Sequence, residues 1–267
     1  MKQSSRSIKI WGANTVRVTP RHFGALRLKY ALEALVNIQG RVLEIGCGAG
    51  AFTRAIKHYR PDLEILGTDI NPDVIKLAQK KDRKNVYQKA DVEQLSFKAN
   101  SFDAVLAFDV IEHLKNPQLA FSEIFRVLKP GGRLHVSIPL EANFLTLHGL
   151  GLRLGFKPKQ VYADHCQQFC LNDIVGLLKK AGFNSITWCY SGYFFFQLMD
   201  FIYFSWLSLI KKSTHHTVEG YVATASPGLL KSLLSGLAAV LALISYFESY
   251  LLKKLPGQIG HFSAEKK

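Results

Sequence analysis

Gly46, Gly48 and Gly50 alternate in the stretch Val42-Leu43-Glu44-Ile45-Gly46-Cys47-Gly48-Ala49-Gly50, directly before a helical segment that begins near Phe52. Glycines so placed let the backbone turn sharply and bring its N–H groups close to a ligand, with a helix N-terminus behind them. Gly46, Gly48 and Ala51 also satisfy the loose G-x-G-x-x-G/A dinucleotide fingerprint, which alone is weak. Acids stand at matching intervals. Glu44 precedes the first glycine, and Asp69 closes an apolar run from Leu63 about 20 residues after the turn, where an acid can accept hydrogen bonds from ribose hydroxyls. Asp91, flanked by Ala90 and Val92, closes a third segment, and Phe108 lies in a fourth. Two histidines have the chemistry of a general base, because an imidazole titrates near neutral pH. His113 sits in Glu112-His113-Leu114 just past the fourth run, and His165 sits in Asp164-His165-Cys166 before a later helix.

The elements that must position these residues alternate. The patterning predicts strands over 41–46, 63–69, 85–90, 102–108 and 132–138, with helices over 51–59, 72–81 and 116–128 between them. A helix is expected from Pro20 to about 36, another over 170–182, and a strand over 184–190. Such alternation implies an α/β fold, a doubly wound and mostly parallel sheet with helices on both faces. Its ligand belongs beyond the carboxyl ends of the strands, where the motifs cluster.

The motifs in this order resemble the class I S-adenosylmethionine (SAM) dependent methyltransferases, the small-molecule branch that includes quinone-biosynthesis enzymes. The resemblance covers residues 41 to about 190 and the segment from Gly260 onward, which is similar to the last strand of that seven-stranded fold. It implies SAM as cofactor. Gly46, Gly48 and Gly50 would form the turn against its methionine portion and ribose, and Glu44 would orient its amino group, directly or through water. Asp69 would hold the ribose hydroxyls, Ile70 would pack on the adenine, Asp91 and the Val92 backbone would read the adenine edge, and Phe108 would flank the cofactor. His165 and His113 are the candidate catalytic bases; the alternatives are that they order a loop or pack a helix. The Asn/Asp-Pro-Pro-Tyr/Phe motif of amino-group methylases is absent, Ala107-Phe108-Asp109-Val110 standing in its place, so the acceptor is expected to be an oxygen or a carbon. NAD-dependent dehydrogenases share the acid of the second strand. Glu44 before the glycines and the Phe108–Leu114 segment, which resembles methyltransferases and has no obvious dehydrogenase role, stand against them, and no Tyr-x-x-x-Lys pair sits where a short-chain dehydrogenase would need its acid.

The 267 residues, 48% of them hydrophobic, suit one domain with an insertion. Residues 1–38 read as a basic lead and a helix, 39–194 as the SAM-binding core, 195–257 as a hydrophobic helical hairpin and 258–267 as the last core strand. Within the hairpin, 193–210 is aromatic and aliphatic with the single charge Asp200, and 232–247 carries no charge. Gln197, Asp200, Ser205 and Ser208 share one arc of the first helix. Small residues, among them Ala242, Ser245 and Ser249, form a seam on the second. Each run approaches the roughly 20 residues that span a bilayer. Spanning would set Asp200 near the bilayer centre at about 2.5–3.5 kcal/mol, so an interfacial or re-entrant placement is expected.

The net charge of +14 excludes none of nucleic acid, anionic lipid or a phosphorylated substrate as a partner. Basic residues at the hairpin ends and in the lead favour anionic lipid. Nucleic acid is disfavoured because the basic residues are scattered and no RNA-binding module is recognisable. The four cysteines show no disulfide pattern, and no metal is expected. The first residues lack an apolar core of signal-peptide length, which points to the cytoplasm. The expectation is a membrane-associated methyltransferase acting on a lipophilic small molecule: a quinone precursor, a lipid or a lipid-linked sugar. An RNA methyltransferase and a non-catalytic SAM-binding scaffold are the alternatives, and the sequence is silent on oligomeric state.

Overall fold

Val42, Leu43, Glu44 and Ile45 are all buried, so β1 (Arg41–Ile45) is covered on both faces and reads as a continuous apolar run rather than an alternation. The structure, a computed structural model, describes residues 16–20, 22, 24–155, 157–210 and 229–267. α1 (Ala25–Ala34) leads into β1, which is followed by α2 (Ala51–Tyr59), β2 (Glu64–Asp69), α3 (Pro72–Lys81), β3 (Val86–Lys89) and β4 (Phe102–Phe108). A 3-10 turn at Ile111–His113 and α4 (Pro117–Val127) lead to β5 (Leu128–Pro139). Then come α5 (Leu147–Arg153), α6 (Pro158–Tyr162), α7 (Leu171–Lys180) and β6 (Asn184–Ser191). The chain finishes with α8 (Phe194–Ile210), α9 (Leu229–Leu252) and β7 (Ile259–Glu265).

The seven strands lie in the order β3-β2-β1-β4-β5-β7-β6. β1 to β5 pair in parallel, and β7 enters antiparallel between β5 and β6. The core has two layers. Leu28 of α1, Leu35 just after it and Ile56 of α2 pack on one face, and Phe121, Ile124, Ile174 and Leu178 from α4 and α7 on the other. Asn71 and Asn116 cap α3 and α4, each followed by a proline at the first helical position. Lys266 secures the end of β7 by donating to the carbonyls of Phe125 and Leu128, both at 2.7 Å.

The helix expected from Pro20 starts at Ala25. The His22 N–H donates to the Thr19 carbonyl at 3.1 Å, which places Pro20 in a turn. Residues 1–15 of the basic lead lie outside the described residues. α5 and α6 were not expected from the sequence. They are 7 and 5 residues long, too short for an apolar period to emerge. Among the described residues no helix is long and apolar enough to cross a membrane.

Glu44, expected to orient the amino group directly or through water, is held inside the protein. It shares Val42's face of β1, beneath α2, and is 1% exposed. Thr53 of α2 donates to its carboxylate and Thr68 of β2 to its carbonyl, so it fastens three elements together. Burial pushes the carboxyl up to about 8, with Thr53 and Arg54 pulling the other way. A group whose folded pKa is raised holds an extra proton in the folded state between its unfolded value of 4.5 and about 8, so stability falls as pH rises through that window. Glu44→Gln keeps an acceptor for Thr53 and removes the ionisation. Its melting temperature should match the wild type at pH 4.5 and exceed it at pH 9 by roughly 10–20 °C, equivalent to about 5 kcal/mol. Scanning calorimetry at the two pH values checks this.

Candidate active site

Gly46, Gly48 and Gly50 have φ of 68°, 52° and 76°, the left-handed region that favours glycine. A Cβ on Gly46 would come within 2.3 Å of Val110 Cγ2, whereas one on Gly48 meets nothing within 4 Å. The turn therefore packs tightly against the loop after β4 and leaves an open cradle at its middle glycine. The Gly48 N–H donates to Asp69 Oδ2 at 3.0 Å and the Asn71 N–H to Oδ1 at 2.9 Å. Burial raises the Asp69 pKa, and the amides of Asn71, Gly48 and Ile70 oppose that. Each oxygen keeps a second lone pair for a ligand hydroxyl. Ile70 is 61% exposed at the end of β2, an apolar surface awaiting a flat partner. Asp91 is exposed and accepts the Glu93 N–H at 2.9 Å, beside the buried Val92. Phe108 is buried and stacked on Phe52 with ring centroids 4.2 Å apart. Phe52 is the more exposed ring of the pair, and the sequence did not single it out. These residues fit an adenosyl ligand: a cradle for its backbone-like portion, an acid for its ribose and an apolar face with an acid for its base.

At the same strand edge, the two histidines, 52 positions apart in numbering, meet. Their rings lie edge to face with centroids 4.9 Å apart. The loop that carries His165 is tied down when the Gln167 N–H donates to the Glu112 carbonyl at 3.0 Å. His113 Nδ1 donates to the Asp164 carbonyl at 3.1 Å, and burial, with His165 beside it, lowers its pKa. His165 Nδ1 pairs with Glu141 Oε1 at 2.8 Å, which leaves Nε2 as the nitrogen able to take a proton. Burial alone would raise Glu141, but Lys159 and His165 outweigh it and hold the carboxyl near about 2. Glu112 is different. It is 1% exposed, neither carboxylate oxygen has a hydrogen-bond partner among the described residues, and burial with Asp109 nearby raises its pKa far above the ordinary range. Glu112, His113 and His165 offer ligand atoms within 4.8 Å of one another, a grouping that the sequence, which led to no metal, does not reveal. Asp109 has φ of 53° and pairs with Arg27 of α1 at 2.9 Å.

Behind Glu141 runs a buried ionic chain. Lys159 Nζ of α6 sits 3.1 Å from Glu141 Oε1 and 2.7 Å from Asp200 Oδ2 of α8. That same oxygen of Asp200 also pairs with His148 Nε2 of α5 at 2.9 Å and accepts from Gln258 Nε2 at 2.6 Å. Gln197, one turn earlier on α8, accepts the Leu147 N–H at 2.9 Å. Gln197 and Asp200 of the polar arc of α8 thus face the protein, and Phe194, Leu198 and Ile202 face outward. On α9, Ala242, Ser245 and Ser249 of the small-residue seam are buried, while Leu237, Val240 and Phe247 are exposed.

Residues 43–136, which build the turn and its acids, match the family described as a methyltransferase domain. A ubiquinone biosynthesis O-methyltransferase of Coxiella burnetii (strain Dugway 5J108-111) is 29% identical over 140 residues, 50% of this chain and 58% of that protein. A sterol 24-C-methyltransferase of Clavispora lusitaniae is 39% identical over 103 residues, 36% of this chain and 27% of that protein. The chain therefore spans little more than half the length of the first relative and about a quarter of the second. Among solved structures, a Haemonchus contortus phosphoethanolamine N-methyltransferase, in complex with phosphomonomethylethanolamine and S-adenosylhomocysteine, superposes with a TM-score of 0.58 at 21% identity, covering 91% of this chain and 53% of that one. A Thermotoga maritima SAM-dependent methyltransferase superposes with a TM-score of 0.56 at 21% identity over 94% of this chain and 93% of that one. Both share the fold. The matched family covers residues 43–136, the very strands that carry the glycine turn and its acids, and the seven-stranded sheet that holds them has the fold of these solved methyltransferases.

Proposed function

We propose that this protein is an enzyme that transfers a methyl group from SAM to an oxygen or carbon of a lipophilic small molecule presented at a membrane surface. Bound at the glycine turn, SAM supplies an electrophilic methyl group on a sulfonium. Asp69 would accept from the ribose hydroxyls, Ile70 would pack on the adenine, and Asp91 with the Val92 backbone would read its edge. Glu44 braces the turn from behind. His165 Nε2 takes the proton from the acceptor hydroxyl as the oxygen attacks, and Glu141 holds the imidazole by Nδ1 and stabilises the charge it gains. An activated carbon acceptor uses the same base to lose its proton. His113 walls the acceptor on the other side. Much of the rate comes from holding methyl and acceptor in line, worth about 7–11 kcal/mol in well-oriented reactions.

The observation that carries the lipophilic and membrane reading is the inversion of α8 and α9. Gln197 and Asp200 of α8 and Ala242, Ser245 and Ser249 of α9 are turned into the protein and large apolar residues outward, with Ile202 58% and Phe247 55% exposed. The related Coxiella burnetii protein is named for ubiquinone biosynthesis and the Clavispora lusitaniae protein for a sterol, which supports a quinone precursor or another lipid as the acceptor class. The basic residues Lys253 and Lys254, just after α9, suit anionic headgroups. A second reading rests on the unpartnered Glu112: a divalent cation held by Glu112, His113 and His165 would ionise the acceptor in place of the base. Turnover that survives EDTA selects the base, and loss restored by magnesium selects the cation.

Calorimetry should show SAM binding in preference to NAD, and Asp69→Ala should weaken it by about 1.5–3 kcal/mol. Tighter binding of NAD would end the assignment. With a phenol bearing a long alkyl chain as probe, His165→Ala should lower turnover by about 10²–10⁴-fold with SAM affinity unchanged. In flotation assays the protein should rise with vesicles containing anionic lipid and less so at high salt. Ile202→Glu combined with Phe247→Glu should abolish flotation while the melting temperature holds, because both side chains are already exposed. A protein that ignores vesicles would reassign the hairpin to a protein contact.

A further inference from the structure

Asp200 is the lone charge in the apolar run that forms α8, and it does not face outward. It reaches instead into the layer that covers the acceptor side, where it meets Lys159, His148 and Gln258. Lys159 is shared between Asp200 and Glu141, and Glu141 uses one oxygen, Oε1, for both Lys159 and His165. The order of contacts is therefore Asp200, Lys159, Glu141, His165, each link between 2.7 and 3.1 Å. Lys159 and Glu141 are buried, and the side chains of Asp200 and His165 are only 19% and 10% exposed. Water is poorly placed to substitute for a lost partner, so each group must find its counter-charge inside the chain.

We infer that Asp200 is a positioning residue for His165: by holding Lys159 on the far side of Glu141, it keeps Oε1 available to the imidazole Nδ1–H and so presents Nε2 to the acceptor. This rests on the reading of His165 as the base. The competition at Oε1 gives the device its direction. With Asp200 in place, the ammonium is divided between two carboxylates. Without that carboxylate charge, it turns wholly to Glu141 and displaces the histidine from the shared oxygen. The insertion helix is then a working wall of the acceptor site, and whatever seats α8 also sets the base.

The readout is the tautomer of His165 in the full-length protein, observed by 15N NMR of ring-labelled histidine, with His165→Gln assigning its signals among the 9 histidines. Wild type should show a single tautomer protonated at Nδ1. Asp200→Asn, nearly equal in shape, should give a tautomer mixture and lower the kcat for the alkylphenol probe at least tenfold, with KM for SAM unchanged. A double variant, Lys159→Met with Asp200→Leu, replaces the ion pair by apolar groups that can pack, and His165 then keeps sole use of Glu141 Oε1. It should regain the Nδ1 tautomer and most of the lost turnover. That rescue separates positioning from a merely structural role, which would follow the melting temperature alone. A wild-type tautomer and turnover in Asp200→Asn would overturn the inference. If His165→Ala itself leaves turnover intact, the reading of the base is what fails, and the tautomer shift in Asp200→Asn still reports the link on its own.

Discussion

The pairing of β7 with both β5 and β6 is the constraint on which the rest of the molecule depends. Because β7 runs antiparallel, Ile259 at its start lies opposite both Pro139 at the end of β5 and Ser191 at the end of β6. The chain between β6 and β7 must therefore leave from, and return to, the edge of the sheet where the parallel strands end. That edge carries the glycine turn, Asp69, Asp91 and the two histidines. A helical hairpin placed there cannot avoid the acceptor side, and the contacts of Gln197, Asp200 and Gln258 follow from that placement.

Buried carboxyl groups divide according to whether a cation shares their burial. Glu44 and Glu112 have none close enough to compensate, and their pKa values rise. Glu141 and Asp200 are comparably enclosed, yet Lys159 lies between them and both fall. Desolvation acts on all four in the same direction, so the sign is decided by the Lys159 ammonium together with His165 beside Glu141 and His148 beside Asp200. The first pair are neutral supports for the turn and the loop after β4, and the second pair keep their charge.

Much of this was legible in the sequence, for local reasons. The turn, its following helix and Asp69 are encoded within one β-α-β unit, where spacing and composition act over a few residues. The antiparallel last strand was legible through its resemblance to a family rather than through periodicity. What stayed hidden was non-local. No pattern near His113 points to His165, and their meeting depends on where two loops are pinned. The same is true of Glu44, whose burial is set by α2 lying over that face. Lys159 lies on α6, which is held by tertiary contacts and has no readable period. For Asp200 the arc was visible but its direction was not, since an apolar face is compatible with either a core or a lipid surface.

The ends of the insertion, paired through Ser191 and Ile259, stand only about 5 Å apart, the separation of opposed residues in an antiparallel ladder. Any segment whose own termini meet at that separation could be exchanged there without disturbing the sheet or the glycine turn, so the insertion can evolve as a cassette. The exchange is not unconditional. An incoming segment has to bring a carboxylate to the position of Asp200, or Lys159 must change with it. The two residues therefore form a lineage constraint, in which neither diversifies without the other.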